Sequence, residues 1–326
     1  MQVLKYLLLP FSWLYLLVTS IRNELYDIGL FESYTFDVKV ICVGNLSVGG
    51  TGKSPMIEYL IKSYKNEYHI AVLSRGYKRK TKGFVEVQSN MTADEVGDEP
   101  LQFKRKFESI HVFVDADRKN GIEQIQKQYP NINLVLLDDA FQHRRVNADI
   151  NILLTTYNKP FYMDSVLPFG RLRESRKGKQ RADVIILTKC PNTLSEDEKS
   201  KIISKIKPKP NQQVLFSNIK YSDQVYSQKK HLDFTDFDNF YLITGIANPK
   251  PLLNHLKLHH KSFEHLNFND HHQFTSKEIN YFKSLSKPIL TTEKDFTRLV
   301  DVLDKEIFYL PIEVELDKNL NLILEK

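Results

Sequence analysis

Cysteine is scarce in this 326-residue sequence, which contains only Cys42 and Cys190. Each lies beside a strand-like apolar run, and neither has a Cys or His partner at the spacing of metal ligands. Two thiols cannot form a disulfide framework, so we interpret both as small buried core residues in a reducing compartment. The sequence also lacks internal repeats and low-complexity tracts, and its composition is that of a globular protein rather than a disordered one.

The sequence also has little excess of charge of one sign, because its 46 Lys and Arg residues and 40 Asp and Glu residues give a net charge of +6. This excess does not indicate nucleic acid by itself, but it suits an anionic ligand or a membrane surface. Two basic clusters could hold a phosphate or anionic headgroups, although either could be a solvated face. They comprise Arg75, Lys78, Arg79, Lys80 and Lys82, and then Arg171, Arg173, Arg176, Lys177, Lys179 and Arg181. No aromatic platform or reading helix accompanies them, so we expect no nucleic-acid partner.

One uncharged segment, residues 6–21, stands out near the start of the chain. As a straight helix it would cover roughly 24 Å, short of the ~30 Å hydrocarbon core of a bilayer. It lacks the small-residue cleavage site of a signal peptide, and Trp13 is an amphipathic ring suited to the headgroup level. We predict a membrane-associated helix within residues 1–30 that embeds in the bilayer or lies along its face. The alternative is a hydrophobic helix packed on the body of the protein.

Alternating strand and helix patterns fill residues 31–212, which we predict to be one α/β domain. Its parallel sheet should carry helices on both faces, as in P-loop nucleoside triphosphatases. The predicted strands are 38–43, 69–73, 84–88, 111–114, 134–137, 150–154 and 184–187, with helices over 53–64, within 93–107 and over 120–128.

The pattern changes near residue 212, and residues 213–326 predict a smaller C-terminal α/β domain. Residues 213–226 alternate like a β-ribbon, and 306–316 could pair with them as a hinge between the domains. Between these segments we predict a strand at 240–244, a helix and a strand at 288–291.

A glycine-rich turn follows the first predicted strand and reads NLSVGGTGKSP. Glycines at such a turn let backbone N–H groups face a polyphosphate, and the following helix adds its N-terminal partial positive charge. Lys53 would reach the β- and γ-phosphates, and the Ser54 hydroxyl would ligate Mg²⁺. The usual pattern has glycine at position 47, where this chain has serine; the alternative is a glycine-rich turn without a ligand. The predicted nucleotide-binding residues are Ser47, Val48, Gly49, Gly50, Thr51, Gly52, Lys53 and Ser54.

Carboxylates occur at three further places that could take part in chemistry. Asp138 and Asp139 end a buried strand on the same edge of the sheet as the glycine-rich turn, where a second Mg²⁺ ligand should lie. Without such a turn nearby, two Asp residues at a strand end would be interpreted as a helix cap or a turn. Asp98 with its neighbour Glu99 could be a routine helix cap. The run of Asp270, His271 and His272 could be a surface loop, a metal pair or a catalytic unit, and its spacing does not decide between them.

Ten short motifs together resemble the tetraacyldisaccharide 4′-kinases of lipid A synthesis. They occur in order from residue 43 to residue 295 and read VGNLSVGGTGKSP, SRGYKRK, VGDEP, DADR, LLDDAFQH, LPFGRLRES, ILTKC, TGIANP, NDHHQF and TTEKD. The sequence departs from the family pattern at Ala140, where glycine is usual, and at Phe169, where a small residue is usual.

The resemblance implies a kinase that transfers the γ-phosphate of ATP to the 4′-hydroxyl of an acylated disaccharide 1-phosphate. It implies that Lys53 and Ser54 bind phosphate and Mg²⁺ and that Asp138 and Asp139 complete the metal site. It also implies that Asp98 is the base and that His271 is its partner from the second domain. Arg75, Glu99, Arg118, Arg171 and Glu174 are the candidate substrate-binding residues.

The implied partners are ATP, the lipid and a membrane surface, with no obligate protein partner, and the implied location is the cytoplasmic face of the inner membrane. A P-loop GTPase or metallochaperone-type NTPase attached to the membrane is the alternative enzyme. It should carry a base-reading NKxD loop, and the segment containing Thr188 and Lys189 lacks the Asp. A membrane-docked nucleotide-binding scaffold is the non-enzymatic alternative.

Overall fold

The computed structural model describes residues 6–318 and residue 320, and its larger sheet has nine strands. These are β1 (Lys39–Asn45), β2 (Ile70–Ser74), β3 (Val85–Glu86), β4 (His111–Val114), β5 (Leu134–Asp138), β6 (Ile150–Thr156), β7 (Val184–Thr188), β8 (Gln213–Tyr221) and β15 (Ile312–Leu316). Their order in space is β15-β8-β7-β6-β1-β5-β2-β4-β3, and only the two edge strands are antiparallel to their neighbours. The central strands are buried on both faces because helices cover the sheet, which confirms the predicted α/β fold.

Nine helices of at least four residues occur in the described chain. They are α1 (Leu9–Asp27), α2 (Lys53–Tyr64), α3 (Ala93–Val96), α4 (Asp98–Lys106), α5 (Arg118–Gln128), α6 (Glu196–Ile206), α7 (Lys250–Leu258), α8 (Ser276–Ser284) and α9 (Glu293–Leu299). None of the helices in this part of the chain is long and apolar enough to cross a membrane.

The smaller sheet lies in the C-terminal part of the chain. It contains β9 (Gln224–Tyr226), β10 (His231–Asp233), β11 (Phe240–Thr244), β12 (Phe263–Asn267), β13 (Ile289–Thr291) and β14 (Ile307–Tyr309), in the order β10-β9-β14-β13-β11-β12. The predicted pairing of 213–226 with 306–316 is present, because β8 pairs with β15 and β9 with β14. Two paired chain segments therefore join the sheets, although β8 and β15 belong to the larger one. The boundary at residue 212 stays a prediction.

Several predicted elements differ from the structure. The helix predicted within 93–107 is two helices, because Gly97 between them has φ of 95°, outside the helical region. This break places Asp98 in the first turn of α4. The helix predicted from residue 120 begins at Arg118, because the Asp117 carboxylate accepts from the Lys119 and Asn120 backbone N–H groups. The strands β10 and β12 and the helices α6 and α9 were not predicted, and the single helix predicted between residues 244 and 288 is two helices, α7 and α8.

Candidate active site

The predicted phosphate-binding turn joins the central strand β1 to α2, so it lies between a strand and a helix as the sequence predicts. Gly49 and Gly52 have φ values of 108° and 89°, a region that favours glycine. Gly52 precedes the helix and no side chain caps it, so the first N–H groups of α2 are open to a ligand. Such groups and the helix dipole together bind anionic phosphate.

Polar contacts from neighbouring strands fix the second half of this turn. Asn45 Nδ2 donates to Thr51 Oγ1 at 2.7 Å, and Thr188 Oγ1 donates to the Thr51 carbonyl at 2.8 Å. Lys189 Nζ donates to the Gly50 carbonyl, also at 2.8 Å. These contacts bind the side chain and carbonyl of Thr51 and the carbonyl of Gly50, so they restrict the conformations of the turn.

The first half of the turn is supported by the segment that contains the motif LPFGRLRES. Ser47 forms an antiparallel bridge with Leu172, and the Val48 N–H donates to the Arg171 carbonyl at 2.8 Å. Serine at position 47 is therefore accommodated as part of a short strand-like pairing. In the same segment, the Phe169 ring contacts the Tyr6 ring at 5.8 Å between centroids, so this departure from the family pattern packs against the N-terminal segment.

Asp139 connects two cations beside the turn. Lys53 Nζ lies 3.6 Å from Asp139 Oδ2, and Arg173 donates to both carboxylate oxygens at 2.8 and 3.2 Å. Burial raises the pKa of Asp139, but the charges of Lys53 and Arg173 outweigh burial and hold the pKa below its ordinary value. Asp139 therefore stays ionised and orients both cations toward the phosphate loop.

Asp138 is the member of the pair with a free oxygen. It is 1% exposed, pairs in register with Val43 of β1, and accepts from Ser74 Oγ at 3.1 Å through Oδ2. Oδ1 is buried and has no hydrogen-bond partner among the described residues. Burial, followed by the charges of Glu99 and Asp139, raises the pKa of Asp138 to about 7.

A divalent cation fits this position, because Mg²⁺ takes oxygen ligands and usually needs only one or two carboxylates besides phosphates. Asp138 has one oxygen without a hydrogen-bond partner among the described residues, whereas both oxygens of Asp139 accept from Arg173. Ser54, in the first turn of α2, stays the other predicted ligand. Within residues 6–318 and at residue 320, no three His, Cys, Asp or Glu side chains form a protein-only metal site.

The second half of the site joins Asp98 and His271, which lie 173 positions apart in the chain. His271 Nδ1 lies 2.9 Å from Asp98 Oδ2, and both side chains are largely buried. Burial raises the pKa of Asp98, but the hydrogen bond from His271 and the charges of Arg298 and Lys294 together lower it below its ordinary value. This contact is compatible with the catalytic unit that the sequence left open in the run 270–272, and the role of His271 stays a prediction.

His272 is directed elsewhere and does not join the pair. Its Nε2 lies 3.0 Å from Glu278 Oε2, and its ring stacks on Phe268. Both contacts are within the C-terminal domain, so His272 supports the structure of the loop.

The five candidate substrate-binding residues have different surroundings. Arg75 is exposed, and Glu99 lies 3.8 Å from Lys294 Nζ. Arg171 donates through Nε to Asp164 at 2.8 Å and stays partly exposed. These three can meet a ligand.

Two of the candidates are buried, and their part in substrate binding stays a prediction. Arg118 is 1% exposed and donates to the backbone carbonyls of Asp115 and Asp138 at 2.7 and 3.2 Å. Glu174 is 3% exposed and is held by Arg181 and by Asn23 of α1. Arg118 supports the strand end beneath the metal-binding position, and Glu174 ties α1 to the larger domain.

A cavity of about 420 Å³ opens where the two domains meet, and Asp98 and His271 form part of its wall. Tyr77, Lys78 and Arg298 also line it. The pair of Asp98 and His271, called the dyad below, is therefore reachable from solvent, although most of its surface is buried.

Comparison with known proteins decides the family. The sequence model described as "LpxK: Tetraacyldisaccharide-1-P 4'-kinase" matches residues 4–326. The chain belongs to the tetraacyldisaccharide-1-P 4′-kinase family. It is 46% identical over 318 residues to a tetraacyldisaccharide 4′-kinase of Flavobacterium johnsoniae, covering 96% of this chain and 93% of that protein.

Two further relatives agree with this assignment. A tetraacyldisaccharide 4′-kinase of Bacteroides thetaiotaomicron is 44% identical, covering 96% of this chain and 89% of that protein. The crystal structure of LpxK from Aquifex aeolicus in complex with ATP is similar in fold, with a TM-score of 0.79 at 29% identity over 98% of this chain and 97% of that one. The similarity to a kinase of this family extends over both domains.

Two residues beside the dyad were missed by the sequence analysis. Lys294 and Arg298 occupy adjacent turns of α9, and they contact His271 and Asp98. Lys294 lies in TTEKD, one of the ten motifs that resemble the family, but no role was predicted for its residues. The spacing of four residues between Lys294 and Arg298, which places two side chains on the same face of a helix, was the sequence signal that these two cations act at one place.

Proposed function

We propose that the protein transfers the γ-phosphate of ATP to the 4′-hydroxyl of a tetraacyldisaccharide 1-phosphate, the lipid A precursor, and forms the 1,4′-bisphosphate. The observation that carries the proposal is the Asp98–His271 pair beside a phosphate-binding turn. After burial, the charge of Glu99, the neighbour of Asp98 in the chain, is a cause of the raised pKa of Asp138, so the two halves of the site interact electrostatically.

The residues support an in-line transfer. ATP would lie along the turn 47–54, with Lys53 at its terminal phosphates, and Mg²⁺ held by Asp138 and Ser54 would neutralise phosphate charge. Asp98 accepts the proton of the attacking hydroxyl while that oxygen bonds to the γ-phosphorus, and the bond from phosphorus to the bridging oxygen of ADP breaks. The lowered pKa of Asp98 keeps this base ionised at neutral pH.

The dyad also argues against simple hydrolysis as the physiological reaction. Because Asp98 and His271 come from different domains, an acceptor can be enclosed between the domains before transfer, which limits attack by water. In a GTPase-type NKxD loop the base-reading Asp would stand three residues after Thr188, where this chain has Pro191. The residues therefore favour an ATP-dependent kinase over the GTPase alternative.

We further propose that α1 attaches the protein to the cytoplasmic face of the inner membrane. Polar contacts fix one side of α1 to the larger domain: Ser12 Oγ accepts from the Phe169 N–H at 2.9 Å, and Tyr15 OH donates to the Arg173 carbonyl at 2.8 Å. Large apolar side chains cover the other side, and Phe11 and Trp13 are 64% and 67% exposed. The exposed apolar residues of this segment are Tyr6, Leu7, Leu8, Phe11, Trp13, Leu14, Leu17, Val18 and Ile21.

This orientation is the reverse of a helix packed into a core, and it suits insertion into the bilayer interface. Replacing Phe11, Leu14 and Leu17 together by Ser should release the protein from sedimenting vesicles while ATP binding is kept. Each lost side chain would remove about 1.5–3 kcal/mol of apolar burial. Undiminished sedimentation of this variant would contradict attachment through α1.

The kinase activity is tested by incubating the protein with γ-labelled ATP and a tetraacyldisaccharide 1-phosphate in mixed micelles. We expect the label in a bisphosphorylated lipid and one ADP formed for each lipid phosphorylated. Label released only as inorganic phosphate, at the same rate without lipid, would support the NTPase alternative instead.

A further inference from the structure

We infer that Lys294 is a positioning residue that holds His271 as the neutral tautomer protonated on Nδ1, so that His271 donates a hydrogen bond to Asp98 and does not take up its proton. The role of Asp98 as base rests on the proposed function. The tautomer of His271 does not, because it follows from the contacts of its ring.

Each ring nitrogen of His271 has a partner that can act only as a hydrogen-bond donor or only as an acceptor. Lys294 Nζ lies 2.8 Å from Nε2, and an ammonium group can only donate hydrogen bonds. Nε2 must therefore be the unprotonated acceptor. In a neutral imidazole the proton then lies on Nδ1, which is 2.9 Å from Asp98 Oδ2 and donates to it.

Further charged groups surround this arrangement. Glu99 Oε1 and Asp270 Oδ1 lie 3.8 and 3.7 Å from the ammonium. Asp270 Oδ1 is 4.0 Å from His271 Nε2, too far to accept a proton from that nitrogen in a hydrogen bond. The Arg298 guanidinium faces Asp98 from α9 at 3.4 Å, and the Tyr77 ring meets the imidazole edge at 5.4 Å. A second proton on His271 would place a cation against the Lys294 ammonium.

The short helix α9 fixes this geometry from one side. Lys294 and Arg298 are one turn apart, so both reach the same loop. Arg298 Nη1 donates to the His272 carbonyl at 2.7 Å, and the His271 N–H donates to the Gly245 carbonyl at 3.1 Å. His271 itself has φ of 56°, a conformation that these anchors hold in place.

The tautomer of His271 distinguishes two mechanisms for the dyad: in one, His271 takes up the proton from Asp98, and in the other, His271 only orients the carboxylate. With Nδ1 already protonated and Nε2 occupied, His271 cannot accept the proton that Asp98 takes from the hydroxyl. That proton stays on Asp98 until it leaves to solvent. His271 then acts by orienting the carboxylate, and Lys294 acts by orienting His271.

The test uses the full-length protein labelled with ¹⁵N-histidine and long-range ¹H–¹⁵N spectra of the imidazole rings. The His271→Gln variant identifies the His271 signals by their loss. We expect wild-type His271 to show a protonated Nδ1 and an unprotonated Nε2. In Lys294→Met, Nδ1 still donates to the Asp98 carboxylate while no cation faces Nε2, so we expect Nε2 to become protonated as well, and kcat to fall about 10- to 100-fold with little change in KM for ATP.

Two variants serve as controls. Lys294→Arg keeps a donor-only cation, so it should retain the wild-type tautomer and recover much of the kcat. Lys283→Met removes an exposed ion pair with Asp304 in the same domain and should change neither spectrum nor rate.

A protonated Nε2 in the wild type, or an unprotonated Nε2 in Lys294→Met, would overturn the inference even if the kinase activity were present. Were Lys294→Met unable to fold, the wild-type and Lys294→Arg spectra would still decide. If the expected tautomer were found in a protein that phosphorylates no lipid, the proposed function would fail while the tautomer assignment stood.

Discussion

The two halves of the candidate site are built in different ways. The phosphate half is a single strand–turn–helix unit, in which residues close in sequence form the turn and neighbouring strand ends support it. The dyad half joins Asp98 of one domain to His271 of the other and depends on α9 for its geometry. Nucleotide binding can therefore survive changes that abolish the acceptor step, whereas the acceptor step requires both domains in place.

In the phosphate half, Lys53→Met should have the largest effect, because it removes a cation of the turn and leaves Asp139 with one cationic partner fewer. We expect ATP binding to weaken and turnover to fall on the order of 10²–10³-fold. Calorimetric titration with ATP and steady-state kinetics measure the two quantities. Lys62→Met, which removes an exposed cation of the same helix paired with Glu313, is the matched control. Equal behaviour of the two variants would place the nucleotide elsewhere.

The two adjacent histidines separate the dyad from its supporting loop. His271→Ala should lower kcat about 100-fold, because Asp98 loses its hydrogen-bond donor. His272→Ala removes a contact with Glu278 inside one domain and should cost less than about tenfold in kcat, mainly through stability. The reverse ranking would show that the wrong histidine has been assigned to the dyad.

The pH dependence of kcat/KM tests the electrostatics of the dyad. The hydrogen bond from His271 is one of the causes that lower the pKa of Asp98, so wild-type activity should fall only when the pH drops below the usual range of an aspartate. In His271→Ala that pKa rises, and the acid limb of the residual activity should move to higher pH. An acid limb at the same pH in both proteins would exclude Asp98 as the titrating base.

The smallest effect concerns the contact between α4 and α9. Arg105 donates to Asp301 at 2.8 Å and to the Thr297 carbonyl at 3.2 Å, and so joins the helix that begins with Asp98 to the one that carries Lys294. Arg105→Ala should lower Tm by about 2–4 °C and reduce kcat more than ATP affinity. Lys283→Ala, which loses only an exposed pair, should leave Tm nearly unchanged.

The same contrast explains what could be predicted from the sequence. The strands β1 and β5 and the turn between Asn45 and Lys53 follow from apolar runs, glycines and helix signals that are local in the chain. The helix α6 also had a local signal, a capping box of Ser195 and Glu198, which was not used. The strand β12, with three half-buried and two exposed residues, has no continuous apolar run.

The dyad residues were identified through resemblance and not through their spacing, because no local pattern links positions 98 and 271. The roles of Lys294 and Arg298 depend on how α9 packs against α4, which only tertiary structure specifies. Burial likewise separates Arg118 and Glu174 from Arg75, although all three are charged residues in matching motifs.

The central claim is that Asp98 activates the acceptor while a separate half of the site binds ATP. Its most direct test measures ATP affinity and single-turnover phosphate transfer to the lipid in Asp98→Asn, a variant of equal size that cannot accept the proton. The account predicts ATP affinity within about threefold of the wild type and transfer slowed on the order of 10²–10⁴-fold. Transfer at the wild-type rate in that variant would contradict it.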